Sequence, residues 1–313
     1  MISIYKTQEQ DLHQITEYSE DIWISVTEPT DDEIESLSVR YKLENGHLRA
    51  AMDNDESARI EVEDNYTLII IDIPVTERRS QRNEYTTIPL SIIICEHAII
   101  TVCARQTDIV NEFIQKKVKE FTTKKRMKFL YQLLYRVAVK YQNDLRAIDK
   151  KRMEIEGHIS NVTEDYELIQ LHELESNLVY FATSLRANGL ILERLSRTTK
   201  IKQYPEDREL LEDVIIENMQ AIEMTQIYRG IINGTRELLS TVINNRLNNV
   251  MKYLASITIV MAIPTIISGL YGMNVLGSGM PFADEPYGFT IICVGIIALC
   301  ALVVIVLKKI KML

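Results

Sequence analysis

The 313-residue sequence predicts an α/β domain, then long helices, then two membrane-spanning helices at the C-terminal end. Three observations carry that prediction. Short runs rich in Val, Ile and Thr fill roughly residues 1–105 and then cease. No proline interrupts the chain between Pro89 and Pro205, nor between Pro205 and Pro264. Residues 253–270 and 289–307 contain no charged side chain at all.

The first domain, 1–106, is read from its strand signals: ISIYK (2–6), IWISVT (22–27), ARIEVE (58–63), YTLIIIDIPV (66–75), TTIPLSIIIC (86–95) and AIITVCA (98–104). PTDDEIESLSVRY (29–41) opens like a helix, with acidic residues in its first turn. These predict a small α/β domain with a mainly antiparallel sheet. RQTDIVNEFIQKKVKEF (105–121) begins a helical region that reaches 204. Two long helices, about 124–158 and 163–199, fit its composition. After YPED (204–207), apolar residues at 239, 243, 247, 250 and 254 step by 4, 4, 3 and 4, a helical period. Nothing stops this helix before the first uncharged segment, so a stalk (205–252) passes directly into a span (253–271). At 1.5 Å per residue the joint helix is on the order of 95 Å long and must find partners along its length.

Composition narrows the function. A net charge of -9 and a pI near 5.3 exclude the basic surplus of a nucleic-acid binder and suit a protein that concentrates cations. The cysteines (95, 103, 293, 300) and histidines (13, 47, 97, 158, 172) lack metal-ligand spacing, so the cysteines read as reduced packing residues. There is no G-x-S-x-G and no G-x-x-x-x-G-K-[ST], and neither an enzyme nor an organic cofactor is expected. The opening MISIYKTQEQDL has no apolar core of signal-peptide length, which predicts a cytoplasmic first domain.

Each uncharged segment is close to the ~20 residues that cross a ~30 Å hydrocarbon core. Lys252 precedes the first, KKIK (308–311) follows the second, and the loop 272–288 has no Lys or Arg. The positive-inside bias therefore puts both termini, including the basic tail 308–313, in the cytoplasm and the loop outside a cell membrane crossed twice. That loop carries Asp284 and Glu285, well placed to draw cations. On a wheel of ~100° per residue, Met251, Leu254, Thr258, Ala262, Thr265, Gly269 and Gly272 fall within about 40° of one line. Ile257, Val260, Ile263, Ile267 and Leu270 lie opposite. Such a small and hydroxylated stripe is either a helix-packing seam or the wall of a narrow pore. Two spans cannot surround a path, so a pore requires several copies. Pro264 removes one backbone hydrogen bond, which a neighbour must make good.

YGMN (271–274), at the outer end of the first of two C-terminal spans, resembles the signature of the CorA magnesium-transporter family. NNVMKYLASITIVMAIPTIISGLYGMN (248–274) is similar to the family's stretch throughout, and the likeness extends over essentially the whole chain. The resemblance implies a funnel-shaped homopentamer in the lipid bilayer, with five first spans lining the pore. It implies that Gly272, Met273 and Asn274 form an outer selectivity ring holding hydrated Mg²⁺. Thr265 matches a second polar ring, Leu254 and Met251 a hydrophobic constriction, and Asn248 a polar ring beneath. Regulatory Mg²⁺ is implied between cytoplasmic domains, with Asp213 as one ligand and Asp53, Asp55 or Glu56 of a neighbouring subunit as the other. Two departures stand out. Ala262 occupies a place where a bulky residue is expected, and MPFADE (280–285) replaces the usual Met-Pro-Glu-Leu. Transport of Zn²⁺, Co²⁺ or Ni²⁺ on the same scaffold, and a non-transporting membrane scaffold, are the alternatives.

Overall fold

A computed structural model describes residues 1–9, 11–79, 82–158, 164–197, 204–274, 280–282 and 285–312. The chain forms two units, Met1–Thr235 and Arg236–Leu313.

The first unit is built on a seven-stranded sheet: β1 (Ile2–Gln8), β2 (Asp11–Ile15), β3 (Ile22–Thr27), β4 (Arg59–Val62), β5 (Tyr66–Arg79), β6 (Arg82–Cys95) and β7 (Ala98–Cys103). The strand order is β2-β1-β3-β7-β6-β5-β4, antiparallel except for the β3–β7 pair. Central strands buried on both faces read as continuous apolar runs, which is why IWISV and AIITVC stood out. One face packs Ile24, Leu68 and Ile100 under α1 (Asp31–Tyr41) and the short α2 (Asn45–Arg49), through Ile34, Leu37 and Leu48. A capping box starts α1: the Thr30 side chain accepts from the Glu33 amide, and Glu33 accepts from the Thr30 amide. On the other face Trp23 is enclosed by Tyr5, Phe113, Phe121 and Phe129, and its indole N–H donates to Thr101 Oγ1 at 2.9 Å.

Two details depart from the expected elements. The hairpin strand β2, DLHQI, pairs with β1 at the sheet edge and lacks apolar alternation. The helix expected from 105 is only α3 (Asp108–Ile114). It ends because Lys116 turns into the left-handed region (φ 57°) and its ammonium pairs with Asp11 at 2.7 Å. The chain can then carry Phe121 back to Trp23. Long helices follow: α4 (Arg126–His158), α5 (Glu164–Arg197) and α6 (Pro205–Tyr271). Within the first unit α6 buries Leu211, Val214, Asn218, Ala221 and Thr225, one helical face. The Asn218 amide donates to the Leu185 carbonyl at 3.1 Å.

The second unit contains the end of α6 and α7 (Gly288–Lys309). Both helices are long and apolar enough to cross a membrane, and few residues of either apolar window are fully buried. In water such surface would be costly; in lipid it is the ordinary outer face of a span.

Candidate functional site

The site is built on the upper half of α6, and the first question is which face α7 covers. On α6, Ser256 is fully buried and Val260, Ile263 and Ile267 are partly covered. On α7, the covered positions Ile292, Ile296, Cys300, Val303 and Leu307 recur at helical spacing. One hydrogen bond joins these faces, and another ties α6 to the residues just after α7. The single Ser256 hydroxyl proton is shared between the Lys252 carbonyl of its own turn at 2.8 Å and the Met312 carbonyl at 3.1 Å. Cys300 Sγ donates to the Val260 carbonyl at 3.8 Å. At ~100° per residue, the packed line of Ser256, Val260, Ile263 and Ile267 lies about 180° from the stripe of small and hydroxylated residues. Hence that stripe is not the seam between the two spans of one chain. Asn248, Met251, Leu254, Thr258, Thr265 and Gly269 are exposed, and Ala262 is partly covered.

The hydroxyls on the stripe are chemically committed. Thr258 Oγ1 donates to the Leu254 carbonyl and Thr265 Oγ1 to the Met261 carbonyl, both at 2.9 Å. Each hydroxyl has spent its proton on the preceding turn. What it offers outward is lone pairs, the correct partner for water hydrogens in a cation's hydration shell.

Above the stripe, α6 ends at Tyr271, and the amides of Gly272 and Met273 still bond back to Ser268 and Leu270 at 2.9 and 3.3 Å. Asn274 then leaves the helix, with Gly272, Met273 and Asn274 all exposed. Tyr271 Oη donates to the Pro281 carbonyl at 2.8 Å, tying the loop that follows to the end of the helix. Phe282 sits in the left-handed region (φ 64°), and the amides of Glu285 and Gly288 turn back to Phe282 and Glu285 at 3.4 and 3.0 Å. Glu285 is exposed, while Asp284 lies outside the described residues.

The four acids expected to sense Mg²⁺ are all in the first unit. Asp213 is exposed on α6, and Asp53 and Asp55 are exposed after α2. Asp53 Oδ1 accepts from the Asp55 amide at 3.0 Å, and Glu56 is ion-paired with Arg59. Among the described residues, no three His, Cys, Asp or Glu side chains of one chain come together as a metal site. Sequence reasoning passed over Tyr271 as a loop tether and Cys300 and Ser256 as links to α7. A signal for one of them existed: Pro264 frees the carbonyl four residues earlier, that of Val260.

Comparison with known proteins places the whole chain. The model of the family described as CorA-like Mg2+ transporter protein matches residues 19–309. The chain is 27% identical to the cobalt/magnesium transport protein CorA of Methanocaldococcus jannaschii, over 92% of this chain and 90% of that protein. The complete structure of the CorA magnesium transporter from the same organism superposes with a TM-score of 0.80 at 26% identity, over 99% of this chain and 96% of that one. The full-length CmaX protein, at 16% identity, shares the fold with a TM-score of 0.72 over 99% of this chain and 97% of that one. The match to the family model spans most of the sequence, and the chain belongs to the CorA-like Mg²⁺ transporter family.

Proposed function

We propose that the protein is a Mg²⁺ uptake channel of the cell membrane, active as a homopentamer, with both termini cytoplasmic and the loop 272–288 outside. The observation that carries this reading is the uncovered stripe on α6, opposite α7, ending in Gly272, Met273 and Asn274. Five such stripes facing an axis make a narrow tube. Its lining offers lone pairs at Thr258 and Thr265 and a dry constriction at Met251 and Leu254, with Asn248 below.

The chemistry of the cargo suits these groups. Mg²⁺ dehydrates reluctantly, so neutral acceptors that hold it through its waters cost less than a cage that strips them. A ring of Asn274 amide oxygens does this without the tight binding that would slow release. Inward movement of two charges gains about 4.6 kcal/mol per 100 mV, at ~2.3 per charge, so the potential alone drives uptake. Asp284 and Glu285 raise local cation concentration at the mouth. Mg²⁺ held between Asp213 and a neighbour's Asp53, Asp55 or Glu56 closes the channel when cytoplasmic Mg²⁺ is high. The Arg59 pairing of Glu56 favours the two aspartates.

The test is initial Mg²⁺ uptake into liposomes across a salt series, with Co²⁺, Ni²⁺ and Zn²⁺ as competing cargoes. Asn274→Ala removes the acceptors for the ion's waters and is expected to cost roughly tenfold or more in uptake at every salt concentration. Asp284→Asn with Glu285→Gln removes only exposed charge, which a ~8 Å Debye length already weakens. That double variant should approach wild type at high salt or saturating Mg²⁺. A dead double variant beside a normal Asn274→Ala protein would move the selectivity site to the acidic part of the loop.

A further inference from the structure

We infer that Cys300 of α7 is a positioning residue for transport, because its thiol closes the backbone carbonyl that Pro264 leaves open in the pore helix. The inference rests on the channel reading above. In an α-helix the carbonyl of residue 260 accepts from the amide of residue 264, and proline has no amide proton to give. The Val260 carbonyl is therefore without its helical partner in the middle of an apolar span. No water is available there, and an unsatisfied carbonyl in hydrocarbon is expensive. The Cys300 thiol lies 3.8 Å from this oxygen and donates to it from the other span. The contact sits among the covered residues of both helices, one turn or less from Ile263 and Ile296.

The position explains why this link bears on conduction. Val260 and Pro264 lie on the packed side of α6, and Thr258 and Thr265 on the opposite side at the same depth. A helix missing one backbone bond bends most easily at that point. A donor fixed on α7 limits that bending, and with it the distance of the Thr258 and Thr265 hydroxyls from the axis. The second link, Ser256 to the Met312 carbonyl, fastens the cytoplasmic end of the same pair. The α6 helix is thus pinned to α7 at one point and to the residues just after α7 at another, and only the first stands at a backbone defect.

Three full-length proteins in liposomes test this: wild type, Cys300→Ser and Cys300→Ala. Serine keeps a donor, a stronger one on a shorter bond, and alanine removes it. Wild type must first show Mg²⁺ uptake; its absence would overturn the channel reading and not the thiol contact. With uptake present, Cys300→Ala is expected to shift the internal Mg²⁺ concentration that half-closes the channel by roughly threefold, the effect of an ordinary interhelical hydrogen bond in a membrane. Cys300→Ser should stay near wild type. A shift of equal size in both variants, or in neither, overturns the inference, because the effect would then follow volume or nothing at all. The infrared S–H stretch gives a second readout that needs no transport. The wild-type spectrum minus that of Cys300→Ser should show a band at lower frequency than a thiol in an apolar solvent. A band at the free-thiol position overturns the contact even if the alanine variant fails to fold.

Discussion

Asp72 lies where a carboxylate is hard to keep charged. It stands in β5 under the long helices, and its backbone is held firmly. Its amide donates to Asn188 Oδ1 at 2.9 Å, and its carbonyl accepts from Asn188 Nδ2 at 2.7 Å and from Tyr141 Oη at 3.1 Å. Burial pushes the carboxyl above its ordinary pKa, opposed only by a hydrogen bond with Ser184. Its own burial, and after that the same charge, hold the Tyr141 phenol well above its ordinary value. A carboxyl whose folded pKa is raised binds its proton more tightly in the native state, so it favours folding at low pH. That contribution is lost as pH rises from the unfolded carboxyl's pKa through the folded one. Asp72→Asn keeps the shape and an acceptor for Ser184 but has no charge to desolvate. It should match wild type below the ordinary carboxylate range and be the more stable protein above it. Trp23, the single tryptophan, reports unfolding of this domain by fluorescence. A variant less stable than wild type at neutral pH would mean that the Asp72 charge holds something the structure does not assign to it.

At the level of elements, the residues that lead into α7 leave no room for a side chain at Gly288. A Cβ placed on Gly288 would lie 2.0 Å from the Phe282 carbonyl oxygen, and no flexible side chain is there to yield. Gly288→Ala must displace the Phe282 backbone, and overpacking of this kind costs about 1–3 kcal/mol. Through Pro281 that displacement reaches the Tyr271 hydroxyl, three residues from Asn274. The expected result is severalfold slower Mg²⁺ uptake with an unchanged Trp23 unfolding transition; normal uptake would free the filter from the loop. Much at this scale was legible beforehand. The strands β3, β5, β6 and β7 announce themselves as Val- and Ile-rich runs, α4 and α5 as stretches free of proline, and α6 as a helical pattern that Pro264 alone interrupts. The edge strand β2 was not, since one hairpin partner and solvent leave no apolar pattern to read. Nor was the early end of α3, which depends on Phe121 finding Trp23 across the chain. In the candidate site the stripe on α6 follows from helical period alone. Which side α7 covers does not, because that rests on Cys300 meeting Val260 and Ser256 meeting Met312.

On the scale of the whole molecule, the open question is what covers α6 outside the membrane. Ile216, Met219, Ile227 and Leu238 are exposed, and at ~100° per residue they form a row along one side of the helix. Such a row calls for a partner, and a head-to-tail contact between identical subunits closes into a ring. Asp213 lies about 60° around the helix from Ile216, at the margin of this row. A divalent ion there would bridge Asp213 to an acid of the next subunit, Asp53 or Asp55, and offset their mutual repulsion. Removing the ion leaves like charges facing each other, and the ring loosens. Asp213→Lys replaces the ion by a fixed positive charge, so its first unit should stay resistant to protease in EDTA, where wild type becomes cleavable. Native mass spectrometry should find a pentamer for both proteins; a wild type that flies as monomer or dimer would undo the ring itself. If both proteins are pentameric and show the same Mg²⁺-dependent protection, the sensor is built from other acids and Asp213 is only a solvated charge.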